Sequence, residues 1–193
     1  MEKPEVYRQV ARLHISCINQ GFLPRLGESF LALMYRAIDE SDDGALIVDT
    51  DGDRVIGFVS GTIHMKAVYR RMLRHWPTLF VALLPSMVRP HRVARILEIL
   101  RYGGTHSTER PLPNAELLTI AIDSKFRGQR RADALYHRLS KYFAQNGQTE
   151  FKITAGAALE PAHRFYLRMG AEPIGEVQVH RGETSIAYVQ RCL

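Results

Sequence analysis

Cysteine is scarce in this chain. Cys17 and Cys192 stand far apart with no metal-ligand spacing. That excludes a disulfide scaffold and a thiolate metal site, and leaves reduced thiols in a cytosolic setting as the expectation. No apolar run approaches the ~20 residues that a bilayer-spanning helix needs. The opening Met1-Glu-Lys-Pro-Glu lacks the apolar stretch of a signal peptide, so a cytoplasmic protein is expected. The eight histidines are scattered without ligand spacing, and no metal is expected. Neither an internal repeat nor a low-complexity segment is present, which excludes solenoid arrays.

What is present suits one domain. A chain of 193 residues is long enough to bury a substantial core, and 46% hydrophobic with 24% charged residues is the balance of a soluble globular protein. The net charge of +6 points to an anionic partner without saying which anion.

Apolar spacing places the elements. Val6, Val10, Leu13 and Ile18 form one face of a helix over about Glu5–Asn19, which Gly21 ends. Phe30, Leu33, Met34 and Ala37 mark a second helix over about Glu28–Asp39. Strands at Ala45–Val48 and Val55–Ile63 flank Thr50-Asp51-Gly52-Asp53, a hairpin turn with both central positions expected at positive φ. Ala132, Leu135, Tyr136, Leu139 and Phe143 stripe a helix from Arg130 to about Asn146, with Gly147 as its stop. Phe151, Ile153 and Ala155 alternate with polar neighbours as a strand does. Pro161 opens a short helix that Gly170 closes, and Pro173–Val189 reads as two strands around Arg181-Gly182-Glu183.

The most informative segment is Glu116-Leu-Leu-Thr-Ile-Ala-Ile-Asp-Ser-Lys-Phe-Arg-Gly-Gln-Arg-Arg-Ala-Asp-Ala-Leu135. It joins an apolar strand to a helix through a turn carrying Arg127, Gly128, Arg130 and Arg131. The N-terminus of a helix leaves backbone donors unpaired and adds a positive dipole end, so an anion sits well there. Arginines at that end oppose the dipole by several tenths of a kcal/mol each, and a bound polyanion explains their presence.

Arg127-Gly128-Gln129-Arg130-Arg131-Ala132 resembles the acyl-CoA-binding motif Gln/Arg-x-x-Gly-x-Gly/Ala of the GCN5-related N-acetyltransferases. The first and last positions match, and Arg130 replaces the middle glycine. His163-Arg-Phe-Tyr-Leu-Arg-Met-Gly170 is similar to the second motif of that family. In order of elements the resemblance covers Val6–Ile63 and Ala115–Val189, without the strand that usually precedes the first helix.

The resemblance implies residue roles. Arg127, Gly128, Gln129, Arg130, Arg131 and Ala132 would hold the phosphates of acetyl-CoA, the acyl-donor cosubstrate. The backbone of Ile120, Ala121 and Ile122 would pair with the pantetheine arm. Glu116 matches the place of a glutamate that takes the proton from the acceptor amine. An alkylamine with pKa near 10 is only ~0.1% neutral at pH 7, so some base is needed, although an acid at the wet end of a strand is common. Tyr166 matches a tyrosine that protonates the departing thiolate, while Ala162, Phe165, Tyr166 and Met169 also form an ordinary core stripe. Phe165 is its aromatic neighbour in the motif. Leu159 stands where the motif often carries an asparagine, so a polar contact to pantetheine is lost there.

Between Lys66 and Pro113 the chain departs from the minimal family plan. Lys66–Arg101 holds eight Lys/Arg against the single acid Glu98. Trp76, the apolar run Leu79–Leu84 and an amphipathic Arg89–Arg101 fit a helical cap over the acceptor site, and a peripheral membrane contact through 66–101 stays open beside it.

The expected architecture is α/β: one 1–193 domain with a mixed, twisted central sheet, helices on both faces and a helical insertion at about 66–113. The parallel strands around Leu118–Ile122 and Phe151–Ala155 would splay where the second ends and admit the acyl-CoA. The expected reaction is direct N-acetylation of a small-molecule amine, anionic in character, with an amino sugar as the first acceptor to consider. Coenzyme A, nucleic acid and acidic lipid all fit the charge. A basic nucleic-acid-binding protein, and a catalytically silent acyl-CoA-binding protein suggested by Arg130 and Leu159, are the rival readings. No helix-turn-helix or zinc module supports the first, so no nucleic-acid partner is expected. A homodimer is compatible with everything above.

Overall fold

The computed structural model describes residues 2–18, 23–75, 112–180 and 183–193. Helices α1 (Lys3–Cys17) and α2 (Glu28–Asp39) lead into the hairpin β1 (Gly44–Asp51) and β2 (Arg54–Thr62), followed by helix α3 (Met65–Arg74). Strand β3 (Glu116–Ile122), a single 3₁₀ turn (Ser124–Phe126), helix α4 (Arg131–Gln145) and strand β4 (Glu150–Gly156) come next. Helix α5 (Glu160–Arg168) and the hairpin β5 (Glu172–His180) and β6 (Glu183–Arg191) complete the described elements. The sheet order is β1-β2-β3-β4-β6-β5, and every neighbouring pair is antiparallel except β3–β4.

Each face of this sheet buries one apolar cluster. On the first face, Val10, Ala11 and Leu13 of α1 and Phe30, Leu31 and Tyr35 of α2 meet Phe58 of β2 and Ala121 of β3. Val68 and Met72 of α3 join this cluster, so the start of the segment read as an insertion folds onto the domain as an amphipathic helix does. On the second face, Leu135, Tyr136, Leu139 and Phe143 of α4 pack on Val59, Leu117, Ile122, Phe151 and Ile153. Full burial of such side chains stabilises by roughly 1.5–3 kcal/mol each. Gly61 permits this approach, because a Cβ there would come within 2.8 Å of the Phe143 ring and 2.9 Å of the Glu116 carbonyl.

As the sequence suggests, no strand precedes α1 among the described residues. Two expectations are corrected. The hairpin turn is tighter than expected: the strands run to Asp51 and resume at Arg54, and Gly52 (φ 58°) alone takes positive φ. Most consequentially, β3 and β4 pair only at Glu116–Lys152 and Leu117–Ile153. They part near their beginning rather than where the second strand ends. Trp76, Leu79–Leu84 and Arg89–Arg101 lie outside the described residues.

Candidate active site

The early parting of β3 and β4 exposes one edge of β3. The Asp123 N–H donates to the Ile56 carbonyl of β2 (2.8 Å), so by strand alternation Ala121 also directs its backbone at β2. Ile120 and Ile122 face the opening instead. The Ile122 carbonyl already accepts from Arg127 Nε (3.1 Å) and from the Cys17 thiol (3.4 Å). Of the three residues read as free backbone, Ile120 is thus the one that presents its polar groups unspent to the cleft. One extra residue, Leu118, sits between the partners of Ser60 and Gly61, a bulge that bends β3 beside this edge.

Beyond the strand, the Asp123 side chain caps the 3₁₀ turn by accepting from the Lys125 N–H (3.1 Å). The chain then rises through Arg127, Gly128 (φ 79°), Gln129 and Arg130 (φ 57°) into α4. Gly128 has open space where a Cβ would stand, so positive φ rather than crowding suits glycine there. Arg130 adopts the same left-handed region with a side chain attached, and its side chain does not cap the helix. The first N–H groups of α4 therefore end in solvent, in a turn of exposed residues from Arg127 to Arg130.

The three arginines of this turn differ. Arg131 donates to Asp49 of β1 (3.0 Å) and to Gln129 Oε1 (3.0 Å), and stacks on the Phe126 ring at 5.5 Å. It fastens α4 to the sheet, and its charge is neutralised. Arg127 is anchored by one nitrogen to Ile122, and neither it nor Arg130 is in an ion pair among the described residues. Asp133, in the first turn of α4, would repel an anion, but Arg168 of α5 holds it through two bonds of 2.7 and 2.9 Å and depresses its pKa. Arg168 also covers the Phe165 ring at 5.4 Å. Asp133 and Arg168 went unmarked in the sequence, where 35 residues separate them. Ala132 is partly buried against the second cluster.

The second motif begins where β4 ends. Leu159 is the residue before α5; it donates its N–H to the Gly156 carbonyl at the end of β4 (2.9 Å), and it is 38% exposed. Tyr166 is only 6% exposed, with its ring among those of Tyr136, Phe165 and Tyr188. Burial raises its pKa well above that of a free phenol. His163 is braced beside it. Its Nε2 faces the carbonyls of Gly156 and Ala157 (3.1 and 3.2 Å), so that nitrogen donates and Nδ1 accepts from the Tyr188 hydroxyl (2.8 Å). His163 thereby ties α5 to the end of β4 and to β6, a role that scattered histidines did not announce.

Glu116 lies on the other side. It alternates with Leu117 of the second cluster, so its side chain stands on the α1–α3 face, as does that of Lys152. Lys152 Nζ is 3.5 Å from Glu116 Oε2, with side chains 14% and 23% exposed. Burial raises the pKa of Glu116, and Lys152 opposes that rise. The two residues read as proton carriers, Glu116 and Tyr166, thus belong to opposite faces of the sheet. No cluster of His, Cys, Asp and Glu suited to a metal ion occurs among the described residues, and no described helix is long and apolar enough to cross a membrane.

Known proteins share this architecture. An aminoglycoside 6'-N-acetyltransferase complexed with coenzyme A superposes with a TM-score of 0.61 at 12% identity, covering 98% of this chain and 92% of its own. An aminoglycoside 6'-acetyltransferase type Ii gives 0.62 at 13% identity, covering 100% and 95%. Ard1 from Thermoplasma volcanium gives 0.59 at 14% identity, covering 98% and 93%. At such identities the likeness is one of fold. No curated protein matches the chain. The acetyltransferase (GNAT) family model matches residues 15–171, most of the sequence, and the chain belongs to that family.

Proposed function

We propose that this protein is an N-acetyltransferase that transfers the acetyl group of acetyl-CoA directly to a small-molecule amine. The observation that carries the reading is the continuity of one edge. β3 loses its parallel partner after Leu117, and its open backbone leads straight to the uncapped, positively charged turn that starts α4.

The residues present fit an acyl-CoA. Free N–H groups at the start of α4, with the Arg127 and Arg130 guanidinium groups, suit a pyrophosphate. Asp133 is already neutralised by Arg168, and Arg131 serves the fold rather than the ligand. Ile120 offers backbone pairing to the pantetheine amides, Leu159 and Phe165 an apolar border. Acetyl-CoA supplies the activated acyl group. Glu116 then accepts a proton from the acceptor ammonium, because only the neutral amine is a nucleophile. Tyr166, protonated throughout the neutral range, donates to the departing thiolate and is reprotonated, through water, by the proton that the attacking nitrogen sheds as the amide forms.

Two of the structural neighbours are named as aminoglycoside acetyltransferases, so amino sugars head the acceptor panel. The test is release of free thiol from acetyl-CoA in the presence of amino sugars, polyamines and amino acids, with mass-spectrometric detection of the acetylated amine. Acetyl-CoA should also raise the melting temperature, by RT ln(1 + [L]/Kd), or about 2.7 kcal/mol at a hundredfold excess over Kd. Arg127→Glu should remove most of that rise. A melting temperature unmoved by millimolar acetyl-CoA defeats the proposal.

A further inference from the structure

Where β3 and β4 are still joined, Lys152 is held from two directions. Its backbone N–H donates to the Ala115 carbonyl (2.8 Å), and its ammonium lies 3.5 Å from the Glu116 carboxylate across the strand pair. Immediately beyond, the strands part. Lys152 therefore sits at the apex of the cleft, with little freedom to move away.

We propose that Lys152 is a positioning residue for acetyl transfer, holding the Glu116 carboxylate in place and in its charged form from across the joined end of the two strands. This rests on the reading of Glu116 as the base.

The physical argument concerns what else surrounds Glu116. Its β2 partner is Thr62, which carries no charge. From α3, Tyr69 has its pKa raised by burial and by the nearby Glu116 charge, and it stays a neutral phenol. On β4, Lys152 is the one cation against the carboxylate among the described residues. A carboxylate in a partly buried site is driven towards taking up a proton, and a protonated Glu116 accepts none from an ammonium. Lys152 counters that drive at the single rung where geometry fixes the two groups together. A purely structural ion pair would hold the strands but would leave the proton affinity of the base irrelevant to the rate.

The test reads the carboxyl directly. Protein labelled with ¹³C at the glutamate side-chain carboxyl is titrated by NMR, with the Glu116 signal assigned by its loss in Glu116→Gln. Lys152→Met should move the Glu116 midpoint upward by about one pH unit or more, with Lys152→Gln as a second neutral variant. Lys152→Arg should keep the midpoint near that of the wild type. In thiol release from acetyl-CoA with the amino-sugar panel, the acid limb of kcat/KM should move with the midpoint in each variant. Thermal unfolding reports the loss of strand joining separately. A Glu116 midpoint unmoved in both neutral variants overturns the role of Lys152 while leaving Glu116 as base. Wild-type turnover in Glu116→Gln removes the base itself, and the part of Lys152 in the reaction with it.

Discussion

Arg168 grips both carboxylate oxygens of Asp133, so the one acid in the first turn of α4 faces a guanidinium instead of the space in front of the helix. The contact joins the two motif helices and turns an acid at the exposed N-terminal end of α4 into a brace. Removing Arg168 should therefore weaken anion binding without touching the anion.

For Arg168→Gln we expect acetyl-CoA affinity to fall by on the order of fivefold, with the loss shrinking at high salt because exposed charges are screened. Adding Asp133→Asn should restore most of the affinity. Isothermal titration of the two single variants and the double variant decides it. Equal losses in the single and double variants would mean that Arg168 acts on the ligand itself.

Arg130 gives a prediction with two opposite signs. A side chain in the left-handed region costs about 1–2 kcal/mol, part of which glycine gives back through its greater freedom in the unfolded chain. Arg130→Gly should accordingly raise stability by up to about 1 kcal/mol, or roughly 2–4 °C in a chain of this size. Losing the guanidinium should meanwhile weaken acetyl-CoA binding several-fold. Thermal unfolding in the absence of ligand, beside a binding isotherm, separates the two. A lower melting temperature would show that Arg130 is not strained.

Local features were legible in the sequence, and relations across the sheet were not. The bounds of α2 came out as Glu28–Asp39, because an apolar stripe and a preceding glycine mark a helix within a dozen residues. The run from β3 through Gly128 into α4 was legible for the same reason, since strand, turn and helix are contiguous. The point at which β3 and β4 part was not, because it depends on pairing between residues 36 apart in the chain. Lys152 reads as one polar position of an alternating strand, and nothing local says that Glu116 stands opposite. Arg131 read like its neighbours Arg127 and Arg130 until Asp49, far back on β1, claimed it.

His14 makes folding stability depend on pH. It is 2% exposed, and its Nδ1 is hydrogen-bonded to the Tyr35 hydroxyl, which also bonds Thr119 of β3. Burial lowers its pKa from about 6.5 to about 4. The unfolded chain therefore binds a proton that the native state refuses, so stability is complete above pH 6.5 and declines as pH falls towards 4. Between pH 7 and pH 5 the expected loss is about 2 kcal/mol from this group. Urea unfolding at the two pH values should show it, and His14→Gln should remove that share of the slope. An unchanged slope in the variant would place the proton uptake elsewhere.

Tyr166 tests the chemistry against the packing. Its ring contacts Tyr136, Phe165 and Tyr188, and Phe keeps all of that surface while removing one hydroxyl. Tyr166→Phe should thus leave the melting temperature within about 1 °C, a change expected when no buried partner is stranded. Turnover should fall by ~10²–10⁴, the usual loss of a general acid. Because burial keeps the phenol protonated across the assay range, that loss should be the same at pH 6.5 and pH 8.5. Glu116→Gln should behave differently, its defect easing as pH rises and the amine sheds its proton unaided. Rates with several amines across this range distinguish the two variants. A Tyr166→Phe enzyme that turns over like the wild type, with the same stability, would reduce this tyrosine to a core residue and hand the thiolate to water.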